Sequence, residues 1–89
     1  MKSRTTGQFW DCYQKLPKHI QKRAKKAYKL FIENKDHPSL RLKKVMDQPD
    51  VYSVRISQAY RALGVKTDNT IIWFWIGSHD DYEQLLKQK

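Results

Sequence analysis

The sequence predicts a single α+β domain, in which an N-terminal helical hairpin packs on a three- to four-stranded, mainly antiparallel sheet and a short helix ends the chain. Apolar residues recur at helical spacing in the first half and change to strand-like alternation in the second. Because helices and strands that follow one another in this order segregate in space, we expect the helices to pack on one face of the sheet. The other face is then left for function or for a partner.

Length and charge limit what this domain can do. The chain has 89 residues, enough for one modest core, so residues 1–89 are predicted to form one domain. Lys and Arg number 18 against 9 Asp and Glu, giving a net charge of +9, while 39% of the residues are hydrophobic. That apolar content is too high for a disordered basic tail. The charge attracts polyanions such as nucleic acid, an acidic membrane surface or an acidic protein.

Several classes of protein are disfavoured. The longest wholly apolar run, residues 71–76, is much shorter than the roughly 20 residues of a membrane span, and the N-terminus has no signal-peptide core. We therefore expect a cytoplasmic protein that does not engage a membrane. Cys12 is the only cysteine, which excludes an internal disulfide. The three histidines lack metal-ligand spacing, so no metal or cofactor is predicted.

The first half reads as two helices. Residues 2–6 are a candidate for a short strand. Residues 8–16 then place apolar side chains on one helix face, and Pro17 ends that turn and suits the start of a second helix. The second helix has an apolar stripe and ends near Asn34, before the turn at residues 36–39. Its opposite face is basic, and we interpret it as a solvated surface that can also steer a polyanion: Lys18, Lys22, Arg23, Lys25, Lys26 and Lys29.

The second half reads as strands. Residues 40–46 are a candidate strand, and a turn at 48–50 separates it from residues 51–57, where apolar and polar residues alternate. Residues 60–66 form the next predicted strand. Residues 71–76 are apolar on both faces, which indicates a central strand covered on both sides. Residues 80–87 are predicted to form a closing helix that packs Tyr82, Leu85 and Leu86.

Cationic residues of the sheet region are candidates for binding phosphate. Arg41, Lys43 and Lys44 precede the turn at 48–50, and Arg55 lies on the polar side of its strand. An arginine on a strand face can bind phosphate oxygens through two parallel hydrogen bonds. Arg61 lies on the same face of its predicted strand as apolar residues. Burying an arginine without a partner lowers the stability of the fold. Arg61 is therefore either paired within the structure or at the rim of a pocket.

The segment GSHDDY, residues 77–82, follows the apolar strand. Histidine changes charge near neutral pH, and Tyr82 follows His79 at a spacing that brings the two side chains together on a helix. The alternative is structural: Ser78 or Asp80 caps the last helix and Tyr82 packs in the core. The start of a helix can combine the structural role with a role in binding, because its free N–H groups are placed to bind an anion.

These motifs, in this order, resemble the RelE/ParE superfamily of bacterial toxin–antitoxin toxins. The resemblance covers nearly the whole chain and is most specific in the strand pair VYSVRISQAYRAL and the ending IGSHDDY. It implies a fold like that of microbial ribonucleases. For the RelE branch it implies a metal-independent endoribonuclease that cuts messenger RNA on the ribosome and so inhibits translation, with an antitoxin as partner in a hetero-oligomer and contacts to ribosomal RNA.

The resemblance also implies roles for individual residues. Arg55 and Arg61 correspond to phosphate-binding arginines, His79 to an acid or a base, and Tyr82 to a residue that orients the 2′-OH or stacks on a base. A strand lysine of some members is replaced by Ser53, which removes one candidate base.

Two alternatives to this function stay open. One is a ParE-like inhibitor of DNA gyrase, although that branch generally lacks the His/Tyr ending. The other is a non-catalytic member that binds only nucleic acid or antitoxin.

Overall fold

The computed structural model describes residues 2–87 and has the predicted α+β class. The strands are β1 (Lys2–Thr5), β2 (Lys43–Met46), β3 (Asp50–Ser57), β4 (Tyr60–Thr67) and β5 (Thr70–Ser78). The helices are α1 (Gly7–Gln14), α2 (Lys18–Glu33) and α3 (His79–Lys87), with a 3₁₀ helix at Pro38–Leu40. No helix in this part of the chain is long and apolar enough to cross a membrane.

The five strands form one mixed sheet in the order β1-β5-β4-β3-β2. Neighbours from β2 to β5 are antiparallel, whereas β1 lies parallel to β5 with Lys2 opposite Thr70. The expected three or four strands become five because the candidate strand at residues 2–6 does form. It is held at the sheet edge by β5 and by a hydrogen bond of 2.9 Å from Trp73 Nε1 to Ser3 Oγ, a pairing remote in sequence.

The candidate strand at residues 40–46 is shorter than predicted. Pro38 starts a 3₁₀ turn that His37 caps by accepting a hydrogen bond from the Ser39 N–H at 3.2 Å. Arg41 then has a left-handed backbone, with φ of 47°. A residue in that conformation cannot continue an extended strand, so β2 begins only at Lys43.

The helical hairpin covers one face of the sheet. Thr6 caps α1 by accepting a hydrogen bond from the Phe9 N–H at 3.1 Å. The rings of Phe31 and Trp73 meet edge to face at 5.3 Å, joining α2 to β5. The larger core lies on this face, and its buried members are Phe9, Leu16, Ile20, Ala24, Phe31, Leu40, Val54, Ala62, Ile71, Trp73 and Ile76. We call this side the hairpin face.

The closing helix packs on the opposite side, so the expectation that all helices share one face is wrong. Tyr82 of α3 is buried against Val51 and Leu63 of the sheet, and Leu85 and Leu86 pack around them. The reason is that β5 has apolar side chains on both faces and α3 follows it without a linker. We call this side the α3 face.

Strand β5 is interior and has core residues on both faces, as predicted for the apolar run at residues 71–76. Trp73 and Ile76 belong to the core of the hairpin face, while Phe74 and Trp75 pack on the α3 face. The middle strand of the sheet is nevertheless β4. Strand β5 also extends to Ser78, which carries the rigid sheet up to the first residue of α3.

Candidate active site

Two arginines lie directly opposite each other at one end of the sheet. Arg55 of β3 is in register with Arg61 of β4, and strand alternation puts both on the α3 face, where Val51 and Leu63 also lie. Among residues 2–87 neither arginine takes part in an ion pair. Like charges directly opposite each other destabilise a sheet. The pair is therefore a position at which a bound anion would offset a repulsion.

The guanidinium of Arg61 is held by the β3–β4 turn. Its Nη1 donates hydrogen bonds to the carbonyls of Ser57 at 2.7 Å, Tyr60 at 2.9 Å and Gln58 at 3.3 Å. Within the described residues, Nη2 and Nε have no such partner. The structural pairing predicted as one alternative for Arg61 is thus present at Nη1, and the other nitrogens are left for a ligand.

The charge environment of Arg61 shows which groups surround it. Burial lowers the pKa of Arg61 below its ordinary value, and the positive charges of Arg55 and Arg41 lower it further, whereas Tyr82 raises it. Arg41, Arg55 and Tyr82 therefore all lie within electrostatic range of one guanidinium. Cations brought this close together favour the binding of an anion between them.

The junction between β5 and α3 fixes the position of His79. The Ser78 hydroxyl accepts a hydrogen bond from the Asp81 N–H at 3.2 Å, so Ser78, rather than Asp80, caps α3. The His79 N–H donates to the carbonyl of Ala59 at 2.6 Å. Since Ala59 belongs to the turn that holds Arg61, His79 and Arg61 are tied to the same turn.

The His79 side chain is partly exposed and has two close neighbours on α3. Its ring centroid lies 5.6 Å from that of Tyr82, and its Nε2 lies 3.5 Å from Glu83 Oε1. Glu83 was missed by the sequence analysis, although the spacing of four residues in a helix is a signal that could have revealed it. The carboxylate can orient the imidazole ring.

Tyr82 is a core residue that reaches the site. It is only 5% exposed, and its ring packs against Val51 and Leu63. Stacking on a base requires an accessible ring face, so the burial of Tyr82 favours the other role that the resemblance implies, in which the hydroxyl orients the 2′-OH. Tyr82 raises the pKa of Arg61, so its hydroxyl lies within electrostatic range of that guanidinium.

The three candidate cations before β3 have different surroundings. Arg41 and Lys43 are exposed, and Lys43 lies opposite Ser53 on the α3 face. Lys44 instead pairs with Asp47 at 3.4 Å and with Asp50 at 3.5 Å, and its Nζ lies 5.9 Å from the centroid of Tyr52. The hydrogen bond to Asp47 and the charge of Asp50 raise the pKa of Lys44. The structure therefore groups Arg41 with the arginine pair but gives Lys44 partners of its own.

The comparison with protein families identifies the chain. A model described as the ParE-like toxin domain matches residues 18–84, which is most of the chain. The chain belongs to the ParE-like toxin family. The resemblance to the RelE/ParE superfamily of type II toxin–antitoxin toxins is thereby confirmed. No curated protein sequence matches the chain significantly.

Solved toxin structures share the fold of this family member. RelE in the RelB–RelE antitoxin–toxin complex of Methanococcus jannaschii has a TM-score of 0.74 and 19% identity, over 92% of this chain and 96% of that chain. YafQ from E. coli strain BL21(DE3) has a TM-score of 0.71 and 13% identity, over 91% and 96%. The isolated E. coli RelE toxin has a TM-score of 0.65 and 17% identity, over 98% and 96%. At these identities the matches establish the fold alone.

Proposed function

We propose that this toxin is an endoribonuclease that cuts messenger RNA on the ribosome and thereby inhibits translation. The observation that carries the proposal is the cross-strand pair of Arg55 and Arg61, two arginines with no carboxylate partner in residues 2–87. His79 is tied to the turn that holds Arg61. A phosphate bound by the arginines would thus lie beside a group that can transfer protons.

In the proposed reaction the RNA supplies its own nucleophile. The 2′-oxygen attacks the adjacent phosphorus while the bond from phosphorus to the 5′-oxygen breaks. The products are a 2′,3′-cyclic phosphate and a 5′-hydroxyl. Arg55 and Arg61 stabilise the extra negative charge on the phosphorane. The 2′-OH gives up a proton and the leaving 5′-oxygen gains one, and His79 carries out one of these two transfers. The Tyr82 hydroxyl orients the 2′-OH.

The test is cleavage of a defined message in a purified translation system, mapped by primer extension. We expect discrete cuts in the ribosomal A site. We also expect 5′ fragments that end in a cyclic phosphate, as transphosphorylation requires. His79→Ala should slow single-turnover cleavage by roughly 10²–10⁴-fold, and Arg55→Ala by roughly 10²–10³-fold.

Lys22→Ala is a suitable control, because it removes a positive charge from an exposed position of α2. Its cleavage rate should match that of the unmodified toxin. Unchanged cleavage in both His79→Ala and Arg55→Ala would refute the site, and fragments carrying a 5′-phosphate would refute the reaction. Circular dichroism of each variant would show that the fold is retained.

Gyrase inhibition is the second candidate function, favoured by the match to a family model described as ParE-like. A gyrase inhibitor acts through a protein surface and needs no proton-transfer group. In that case the toxin would leave messages intact and cause gyrase-dependent breaks in plasmid DNA, and His79→Ala would keep its toxicity. Adding purified gyrase and supercoiled plasmid to the same set of variants separates the two functions.

An antitoxin is the proposed protein partner. Three of the similar structures are complexes of a RelE toxin with a RelB antitoxin, and the toxin described here exposes several large apolar side chains. An antitoxin that wraps the toxin in a hetero-oligomer would cover such surface and block access to the arginine pair. Coexpression with the product of the adjacent gene should restore growth and yield a complex that copurifies. Failure of both would contradict this partner.

A further inference from the structure

A basic groove lies next to the candidate active site. It is bounded by α2, the 3₁₀ helix and the end of β3, and its volume is about 650 Å³. Four of its lining residues are cationic and none is acidic. We call it the α2 groove, and its cationic residues are Arg23, Lys26, Arg41 and Arg55.

No ion pair within the part of the chain that the structure describes neutralises these four charges. The ion pairs within residues 2–87 involve Lys35, Lys44 and His79, and none of them includes a cation of the α2 groove. Arg41 and Arg55 both lower the pKa of Arg61, so these two cations of the groove lie within electrostatic range of the candidate active site. Concentrated positive charge of this kind is relieved by a bound anion.

The groove and the candidate active site meet at Arg55. Arg55 lines the α2 groove and also stands opposite Arg61 in the sheet. A ligand that occupies both places must therefore carry negative charge at more than one point. The volume also exceeds the need of a single phosphate, because pockets of roughly 300–1,000 Å³ hold whole small molecules. A polynucleotide backbone, with a phosphate at every residue, meets both conditions.

We propose that the α2 groove is a second phosphate-binding site, which holds the RNA backbone on one side of the phosphate that is cut. This inference rests on the proposed function, and it makes α2 part of the RNA interface. Arg23 and Lys26 bind backbone phosphates there, while Arg55 joins the groove to the reacting centre. The basic side of α2 is thus divided into a part that faces the RNA and a part that is solvated.

The lining favours RNA over an acidic protein segment. Three of the four cations are arginines, whose planar guanidinium matches phosphate oxygens, and Ser39, Ser57 and Gln58 add hydrogen-bonding groups. An amphipathic helix would instead need apolar side chains on which to dock. The groove does have apolar lining residues, Ala27, Pro38, Leu40 and Ile56, but these include none of the large exposed apolar residues, Trp10, Tyr28 and Ile32.

The experiment compares two double variants of equal charge. The groove pair, Arg23→Gln with Lys26→Gln, removes two charges from the α2 groove. The control pair, Lys22→Gln with Lys29→Gln, removes two charges from exposed positions of α2 outside the groove. The probe is a fluorescent single-stranded RNA with 2′-O-methyl groups throughout, which cannot be cut. Fluorescence anisotropy over a series of salt concentrations gives the affinity and its salt dependence.

For the groove pair we expect the slope of log affinity against log salt to decrease by about 1.4, since each lost phosphate contact of a single strand contributes about 0.7. The control pair should keep the slope of the unmodified toxin. Equal losses in the two pairs would overturn the proposal, because the charge would then act without a defined site. Thermal unfolding should show the same midpoint for both pairs.

An oligoglutamate peptide of matched charge distinguishes the other class of partner. If the groove pair loses peptide binding but keeps its RNA affinity, the groove binds protein and the proposal fails. Because the RNA probe cannot be cleaved, a toxin that proves unable to cut messages would refute the proposed function without affecting this measurement. A weaker salt dependence of RNA binding in the groove pair alone would still support the groove as a phosphate-binding site.

Discussion

The two faces of the sheet differ in what they contribute. The hairpin face is covered by α1 and α2 and holds the larger core, whereas the α3 face has a smaller core around Val51, Leu63 and Tyr82. The α3 face also carries Arg55 and Arg61, neither of which forms an ion pair within residues 2–87. Burial of apolar surface therefore stabilises the fold mainly from one side, and the other side can hold charges that cost stability. Stability and the proposed chemistry are largely on different faces of the sheet.

Tyr82 is the exception to this separation. It is part of the core of the α3 face, yet its phenol influences the pKa of Arg61 and its ring lies beside that of His79. The core of the α3 face therefore anchors the first turn of α3 against the sheet. Packing on that face positions the proposed site directly.

The largest expected effect is on the hairpin face and uses two consecutive residues of α2. Phe31 is 3% exposed and Ile32 is 53% exposed. Phe31→Ala should lower the free energy of unfolding by about 3–5 kcal/mol, because it leaves a cavity against Trp73. Ile32→Ala should change it by less than about 0.5 kcal/mol. Urea denaturation measures both, and equal effects would show that α2 does not bury the predicted face.

The next effect separates packing from chemistry at Tyr82. Tyr82→Ala should cost roughly 3 kcal/mol of stability, since it removes a buried ring. Tyr82→Phe retains the ring, so its stability should stay within about 1 kcal/mol. If the hydroxyl orients the RNA, cleavage by Tyr82→Phe should still fall by roughly 100-fold. Full cleavage by Tyr82→Phe would make Tyr82 a packing residue only.

A smaller effect distinguishes a helix cap from a proton-transfer residue. Ser78→Ala should cost about 1 kcal/mol, because it removes the hydroxyl that caps α3, and Ser78→Asp should restore the stability. His79→Ala should have the opposite profile, with little change in stability and a large loss of cleavage. Chemical denaturation and single-turnover cleavage measured on the same preparations test this contrast. If both variants lost stability and cleavage together, His79 would act only through the helix start.

The smallest expected effect concerns Lys44. Its raised pKa means that the folded protein holds the proton more tightly than the unfolded chain does. The contribution to stability is therefore present below the ordinary lysine value of 10.5 and is lost as the pH rises through the higher folded value. Exposed ion pairs stabilise weakly, so Lys44→Gln should lower the thermal midpoint slightly at pH 7 and not at all at strongly alkaline pH.

Lys43→Gln is the matched control for this prediction, because Lys43 is an exposed neighbour without an ion pair in the described part of the chain. It should leave the midpoint unchanged at every pH and lower the affinity for RNA, since Lys43 lies on the α3 face. Lys44→Gln should leave RNA affinity unchanged. The reverse result would make Lys44, and not Lys43, the phosphate-binding residue.

Much of the fold could be predicted because it depends on local patterns. Helical spacing predicted α1 and α2, and alternation predicted β3 and β4 within one or two residues of their observed bounds. The strand β2 was predicted too long because the left-handed backbone of Arg41 has no signal in residue type. The placement of α3 could not be predicted because β5 is apolar on both sides, which leaves the choice of face to packing.

The candidate site was predicted in part for the same reason. The sequence motifs contain four candidate residues, Arg55, Arg61, His79 and Tyr82. The structure brings the backbone segments that carry them together around one turn. The position of Arg23 and Lys26 in the same groove as Arg55 depends on how α2 crosses the sheet. Nothing in the spacing of α2 distinguishes those two cations from its other basic residues.

The sequence by itself determined the α+β class, the two-sided burial of β5, and the positive charge, since periodicity, apolar content and net charge are local or additive properties. Tertiary structure alone decided that α3 covers the second face, that Arg55 faces Arg61, and that part of α2 borders the site. The reason is that strand register and helix crossing are chosen by the burial of apolar surface over the whole molecule. The charged residues take the positions that this packing leaves them.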